Sequence, residues 1–133
     1  KSLGASAILL IASILTSREI EEFKELSDKL NMDCLIESHD KEEVIKSLDA
    51  GAEILGINNR DLNNFKINLN TTLDLRSLIP RDKLVVSESG INTAKDIRTL
   101  SEVNIDGVLV GESFMRSKDL KAKARELKDA YNG

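Results

Sequence analysis

Residues 52–62 read AEILGINNRDL. An apolar run, Ala52 to Ile57, breaks abruptly into two amides, a guanidinium and a carboxylate at Asn58, Asn59, Arg60 and Asp61. A short, nearly unbroken apolar run suits a strand buried on both faces, as in a parallel sheet. Four further runs of the same kind lie at Ala7 to Ile11, Met32 to Ile36, Leu84 to Val86 and Gly107 to Val110. Their starts are spaced by 25, 20, 32 and 23 residues, the period of a repeated βα unit with right-handed crossovers. Helix starts fall between them: Thr16 with Glu19, Asp40 with Glu43 and Thr93 with Asp96 have the spacing of capping boxes. The first predicted helix, Ser17 to Leu30, sets Ile20, Phe23, Leu26 and Leu30 on one stripe before a left-handed stop at Asn31. The second, Lys41 to Ala50, stops at Gly51, and the third runs from near Asn70 to a boundary at Pro80. The chain therefore reads as α/β, one domain of parallel βα units over residues 1–133.

Five such units have two solutions. They form an open, flavodoxin-like five-stranded sheet, or they are five of the eight units of a partial TIM barrel, for which roughly 250 residues is the usual size. Lys1 to Gly4 reads as the tail of a helix turning into a strand, so the expectation is the C-terminal portion of a (βα)₈ barrel lacking its N-terminal strands. Such a portion exposes two strand edges and an apolar inner face. Self-association, or pairing with the missing N-terminal part, is expected to follow.

Composition narrows the function classes. Lys and Arg number 19 against 23 Asp and Glu, and the aromatics are only Phe23, Phe65, Phe114 and Tyr131. Neither the positive footprint nor the stacking surface of a nucleic-acid binder is present, so any anion must be held locally. The longest uncharged apolar stretch, Ala5 to Leu15, is about half the ~20 residues a bilayer crossing needs. No membrane association is expected. The single Cys34 cannot make an internal disulfide, which points to a reducing, cytoplasmic setting. With His39 the only histidine, no metal site is expected; His39 reads as a loop residue, and Cys34, Met32 and Met115 read as packing. Residues 118–128 read as a solvated terminal helix.

In α/β proteins the chemistry collects at the carboxyl ends of the strands. Those ends carry Glu37, Ser38, His39 and Asp40; Asn58, Asn59, Arg60 and Asp61; Ser87, Glu88, Ser89 and Gly90; and Gly111, Glu112 and Ser113. Glu37 and Glu88 would sit across one mouth, where differing surroundings let one carboxyl act as acid or base while the other orients substrate; each could instead cap a helix. Arg60 offers a planar fork to a substrate carboxylate or to a glutamate, or an ion pair with Asp61. Leu62 to Leu69 is long for a βα connection and is a candidate lid. The small-residue turns at Ser89–Gly90 and Gly111–Glu112 can present backbone N–H groups to a phosphate without a lysine.

The strings GASAILLIASIL, IESHD, AGAEILGINNRDL, LVVSESGI and GVLVGESFMR together resemble the C-terminal five-eighths of indole-3-glycerol-phosphate synthase, a (βα)₈ lyase of tryptophan biosynthesis. The resemblance covers essentially the whole chain. It implies ring closure, decarboxylation and dehydration of 1-(o-carboxyphenylamino)-1-deoxyribulose 5-phosphate, with no cofactor. It further implies Glu37 as the acid/base of the later proton transfers and Asn58 at the reacting centre. Arg60 would lie on the anthranilate side, and Glu88 and Ser89 on the ribulose. Gly90, Gly111 and the amide of Glu112 would form the phosphate cradle. The lysine that serves the family as general acid in ring closure lies on the first three strands and is not in this sequence, so the chain alone is expected to be nearly inactive. Phosphoribosylanthranilate isomerase or an epimerase, which share the glycine turns, and a flavodoxin-like binding module are the alternatives.

Overall fold

A computed structural model describes residues 1–132. The five apolar runs form strands β1 (Ala7–Ile11), β2 (Asp33–Ser38), β3 (Ile54–Asn58), β4 (Leu84–Glu88) and β5 (Gly107–Leu109). They make one wholly parallel sheet in the order β1-β2-β3-β4-β5. A flavodoxin-like sheet reverses direction after its first crossover and has the order 2-1-3-4-5. Strictly sequential order is that of a barrel wall. The sheet is open, so β1 and β5 each pair on one side only among the described residues.

Helices α1 (Ser17–Lys29), α2 (Lys41–Asp49), α3 (Asn70–Arg76), α4 (Ala94–Ser101), α5 (Glu112–Arg116) and α6 (Leu120–Asn132) occupy the crossovers and the C-terminus, with a single 3₁₀ turn at Ala12–Ile14 after β1. Thr16 and Thr93 make reciprocal capping boxes with Glu19 and Asp96. Asp40 accepts from the Glu43 N–H, but the Glu43 side chain turns to His39 and completes no box. Asn31 and Gly51 adopt the left-handed conformation expected of helix stops.

Strand alternation sorts the sheet into two faces. Leu10, Cys34, Ile36, Leu55, Ile57 and Val85 are buried in one core with Ile20, Val44, Leu75, Ile97 and Leu100 of the helices. On the other face the register lines up Leu9, Leu35, Ile54 and Leu84 in one row, then Ile11, Glu37, Gly56, Val86 and Gly107 in the next. Leu9, Leu84 and Leu109 on this face are about half exposed.

Three expectations need correction. In α1 the buried positions are Ile20 and Ser27, with Lys24 between them, and on that side the Ser27 hydroxyl donates to the Met32 carbonyl. Phe23, Leu26 and Leu30 are consequently exposed. Met115 is 87% exposed and does not pack, since the five-residue α5 directs it outward while Phe114 meets the core. The terminal helix is not merely solvated: Leu127 and Ala130 are buried, and the Tyr131 hydroxyl donates to the Ile105 carbonyl.

The two faces predict different sensitivities. Leu55→Ala, on the helix side, should cost about 2–5 kcal/mol, whereas Leu84→Ala on the open face should cost less than about 1 kcal/mol. Urea denaturation of the two variants measures the difference, and equal losses would mean that both faces are covered.

Candidate functional site

Glu37 is the penultimate residue of β2 and Glu88 the last of β4, on the open face and separated by β3. The sheet register puts Glu37 level with Gly56 and Glu88 level with Asn58. The two carboxyls therefore converge diagonally across the glycine. A Cβ at residue 56 would collide with Glu88 Oε1, so Gly56 supplies the room in which Glu88 lies. Both glutamates are buried, at 7% and 4% exposure. Burial, then the charge of Glu37, then a hydrogen bond with Glu37, push the Glu88 carboxyl up to about 8. Two carboxyls so placed cannot both be charged at low cost, which favours the protonated form of Glu88. Such a pair can deliver and receive a proton at one locus.

Asn58 ends β3 and donates from Nδ2 to Glu37 Oε1 at 3.2 Å, while its Oδ1 accepts from the Arg60 N–H. Its neighbour faces the other way. Asn59 is 2% exposed; its Nδ2 donates to Ser87 Oγ and to the carbonyls of Glu88 and Ser89, and its Oδ1 accepts from the N–H and hydroxyl of Thr72. One side chain thus pins the end of β3 to the end of β4 and to α3, fixing the backbone that carries Glu88.

Arg60 reaches across to Glu112, Nη2 to Oε2 at 3.2 Å, and Arg116 holds the other oxygen of that carboxylate at 2.8 Å. It makes no pair with Asp61, whose carboxylate instead accepts from Asn63 and Asn64 within the loop. Arg60, Ile67, Ser89, Gly90, Gly111 and Glu112 line a cavity of about 400 Å³. Ser89 and Gly90 are both left-handed, with φ of 64° and 79°. A non-glycine residue there stores about 1–3 kcal/mol of strain, and the Asn59 bond to the Ser89 carbonyl holds it in place. Gly111 caps α5 with open space where a Cβ would point. The 62–69 segment folds back over this cavity through an antiparallel bridge between Arg60 and Ile67. A larger, more apolar cavity of about 500 Å³ lies behind β5 among Ile97, Ile105, Phe114, Leu127 and Tyr131, and holds none of the strand-end polar residues.

His39 lies in the β2–α2 connection, as expected of a loop residue, but it does not face solvent. Its side chain is 12% exposed and lies between two carboxylates, Nδ1 at 3.0 Å from Glu43 Oε2 and Nε2 at 3.1 Å from Glu37 Oε1. The available signal was the i,i+4 spacing of His39 and Glu43 at a helix start, masked by the competing capping-box reading. Gly56 was also missed, although a glycine inside an apolar strand signals a close approach.

The family model described as indole-3-glycerol phosphate synthase matches residues 1–127. Proteins of that name from Acetivibrio thermocellus and Dehalococcoides mccartyi are 47% and 51% identical to this chain over 95% and 93% of it. The chain spans about half the length of these relatives, 48% of each. Among solved structures, 3-hexulose-6-phosphate synthase from Salmonella typhimurium superposes over 98% of this chain and 64% of its own, with TM-score 0.83 and 14% identity. Thiamine phosphate pyrophosphorylase from Pyrococcus furiosus covers 98% and 61%, with TM-score 0.78 and 20% identity. These two likenesses concern the fold alone. No helix among the described residues is long and apolar enough to cross a membrane.

The raised carboxyl of Glu88 makes stability depend on pH. In the unfolded chain this group loses its proton near 4.5, and in the folded chain near 8. Its stabilising share is therefore complete below about 4.5 and is lost progressively as pH rises towards 8. The urea midpoint should fall over that window, and Glu88→Gln, which keeps a neutral side chain, should flatten the fall. An equally steep profile in the variant would contradict the raised Glu88 carboxyl.

Proposed function

Since the chain belongs to the indole-3-glycerol phosphate synthase family, we propose that it supplies the proton-transfer and phosphate-binding part of that lyase's active site, acting in the cytoplasm. The observation that carries this reading is the buried Glu37–Glu88 pair opening beside a cavity lined by two small-residue turns. The substrate would be 1-(o-carboxyphenylamino)-1-deoxyribulose 5-phosphate, and no cofactor takes part.

In this reading the phosphate rests on the backbone N–H groups around Gly90 and Gly111 and the amide of Glu112. Arg60 and Arg116 neutralise the Glu112 carboxylate, so no bare anion opposes the phosphate. Arg60 shares this half-exposed carboxylate with Arg116, and a substrate carboxylate can compete for the Arg60 fork. Glu88 and Ser89 orient the ribulose portion through hydrogen bonds, Glu88 as a donor while it keeps its proton. Asn58, fixed on Glu37, faces the reacting centre. Glu37 then takes and returns protons as carbon dioxide and water leave. Ring closure itself needs the general-acid lysine that the family carries on earlier strands, so the 133-residue chain alone should be nearly inactive.

In a full-length protein carrying this sequence, Glu37→Gln should lower kcat by about 100-fold or more, the cost of a lost acid/base. Glu88→Gln should change both kcat and KM. Unchanged kinetics in both variants would remove the assignment, and turnover of the phosphoribosyl rather than the ribulose anthranilate would move the chain to the isomerase. For the chain alone, the open face and the two free edges lead us to expect self-association. Sedimentation velocity should show an s-value that grows with concentration, and a compact monomer at every concentration would refute this.

A further inference from the structure

The reading of Glu37 as an acid/base leaves unexplained why a nearly buried histidine stands behind it. His39 directly follows β2, and its backbone N–H and its Nδ1 both meet one oxygen, Oε2 of Glu43, at 2.8 and 3.0 Å. A carboxylate oxygen accepts, so Nδ1 carries a proton and donates it. That leaves Nε2 to face Glu37 Oε1 at 3.1 Å, buried and without an aligned hydrogen-bond partner among the described residues. If both facing atoms were bare, two lone pairs would oppose each other. The contact is attractive only when one proton lies between them, on Nε2 or on Oε1. The other charged groups are engaged elsewhere. The Asp40 carboxylate caps α2 through the Glu43 N–H, and the Lys46 ammonium is bound by the carbonyls of Ala12 and Leu15. From β4, Glu88 faces Glu37.

We propose that His39 is a positioning residue that orients Glu37 and holds the proton Glu37 exchanges with substrate, with Glu43 fixing the ring. This deepens, and rests on, the assignment of Glu37 above. The step balances simply. When substrate takes a proton, the Nε2–H bond breaks as an Oε1–H bond forms, and that O–H bond breaks in turn as the proton bonds to substrate, leaving Glu37 ionised beside a neutral ring that still donates from Nδ1 to Glu43. A proton from solvent restores Nε2–H. The arrangement has the logic of a group oriented by a second one that is itself oriented by a carboxylate.

Because His39 is the only histidine, ¹⁵N NMR of the chain reads this ring without overlap. The proposal expects a protected ring N–H at Nδ1 and a second at Nε2 whose resonance moves or vanishes in Glu37→Gln. In Glu43→Gln the tautomer should change while far-UV circular dichroism stays native. In the full-length enzyme, His39→Asn should lower kcat about 10-fold, leave KM within about twofold and displace one limb of the kcat–pH profile; Glu43→Gln should do the same more weakly, and keeps the test open if His39→Asn fails to fold. Ring resonances indifferent to Glu37→Gln overturn the proposal even if Glu37→Gln abolishes turnover. Coupled ring resonances with full activity in Glu37→Gln instead overturn the catalytic reading of Glu37, and with it the step proposed for His39. A kcat–pH profile unmoved by His39→Asn would reduce the histidine to packing.

Discussion

Two carboxyl groups are buried against each other at the rim of the sheet, and most of what surrounds them answers the cost of placing them there. Desolvation alone disfavours each charge, and the nearness of the second carboxylate adds to it, which is why Glu88 keeps its proton to about 8. The arrangement survives because Gly56 vacates the space Glu88 fills, Asn58 donates to Glu37, and His39 stands at the remaining side. Take away any of these and the pair would either separate or be solvated. In each case the surroundings that raise the Glu88 carboxyl would be lost.

The scaffold contributes rigidity where that chemistry requires it. Asn59 replaces, with one side chain, hydrogen bonds that the strand ends would otherwise seek from water, and it does so to β4, the turn after it and α3 at once. Buried polar networks of this sort are costly when incomplete and specific when satisfied. Here all of the Asn59 amide is used. The strain stored at Ser89 is thus maintained by a residue thirty positions away in sequence, which couples the shape of the Ser89–Gly90 turn to the end of β3.

Much of this architecture was written in patterns that depend on near neighbours in sequence. Strand runs, capping boxes at Thr16 and Thr93, and the left-handed stops at Asn31 and Gly51 are local events, and each appears where it was expected, within a residue or two. The strand-end location of Glu37, Asn58 and Glu88 followed from the same rule. What was not legible depends on partners far along the chain. Nothing in the string IESHD says that His39 turns back to Glu37, and nothing near Arg60 says that it ignores Asp61 for a carboxylate 52 positions on. Likewise the stripe read on α1 obeyed helical periodicity, but the side that faces the sheet carries Ile20 and Ser27, whose hydroxyl bonds the Met32 carbonyl.

One contact ties the loop after β3 to the turn after β4. Ile67 Cγ2 occupies the volume that a Cβ on residue 90 would claim, so the absent side chain of one segment is filled by the side chain of another. The two segments behave as lock and wedge: any bulk gained at 90 has to be surrendered at 67, and a smaller residue at 67 would leave a hole beside the bend. Their permitted substitutions are therefore not independent, and the pocket they border can change shape only by changing both.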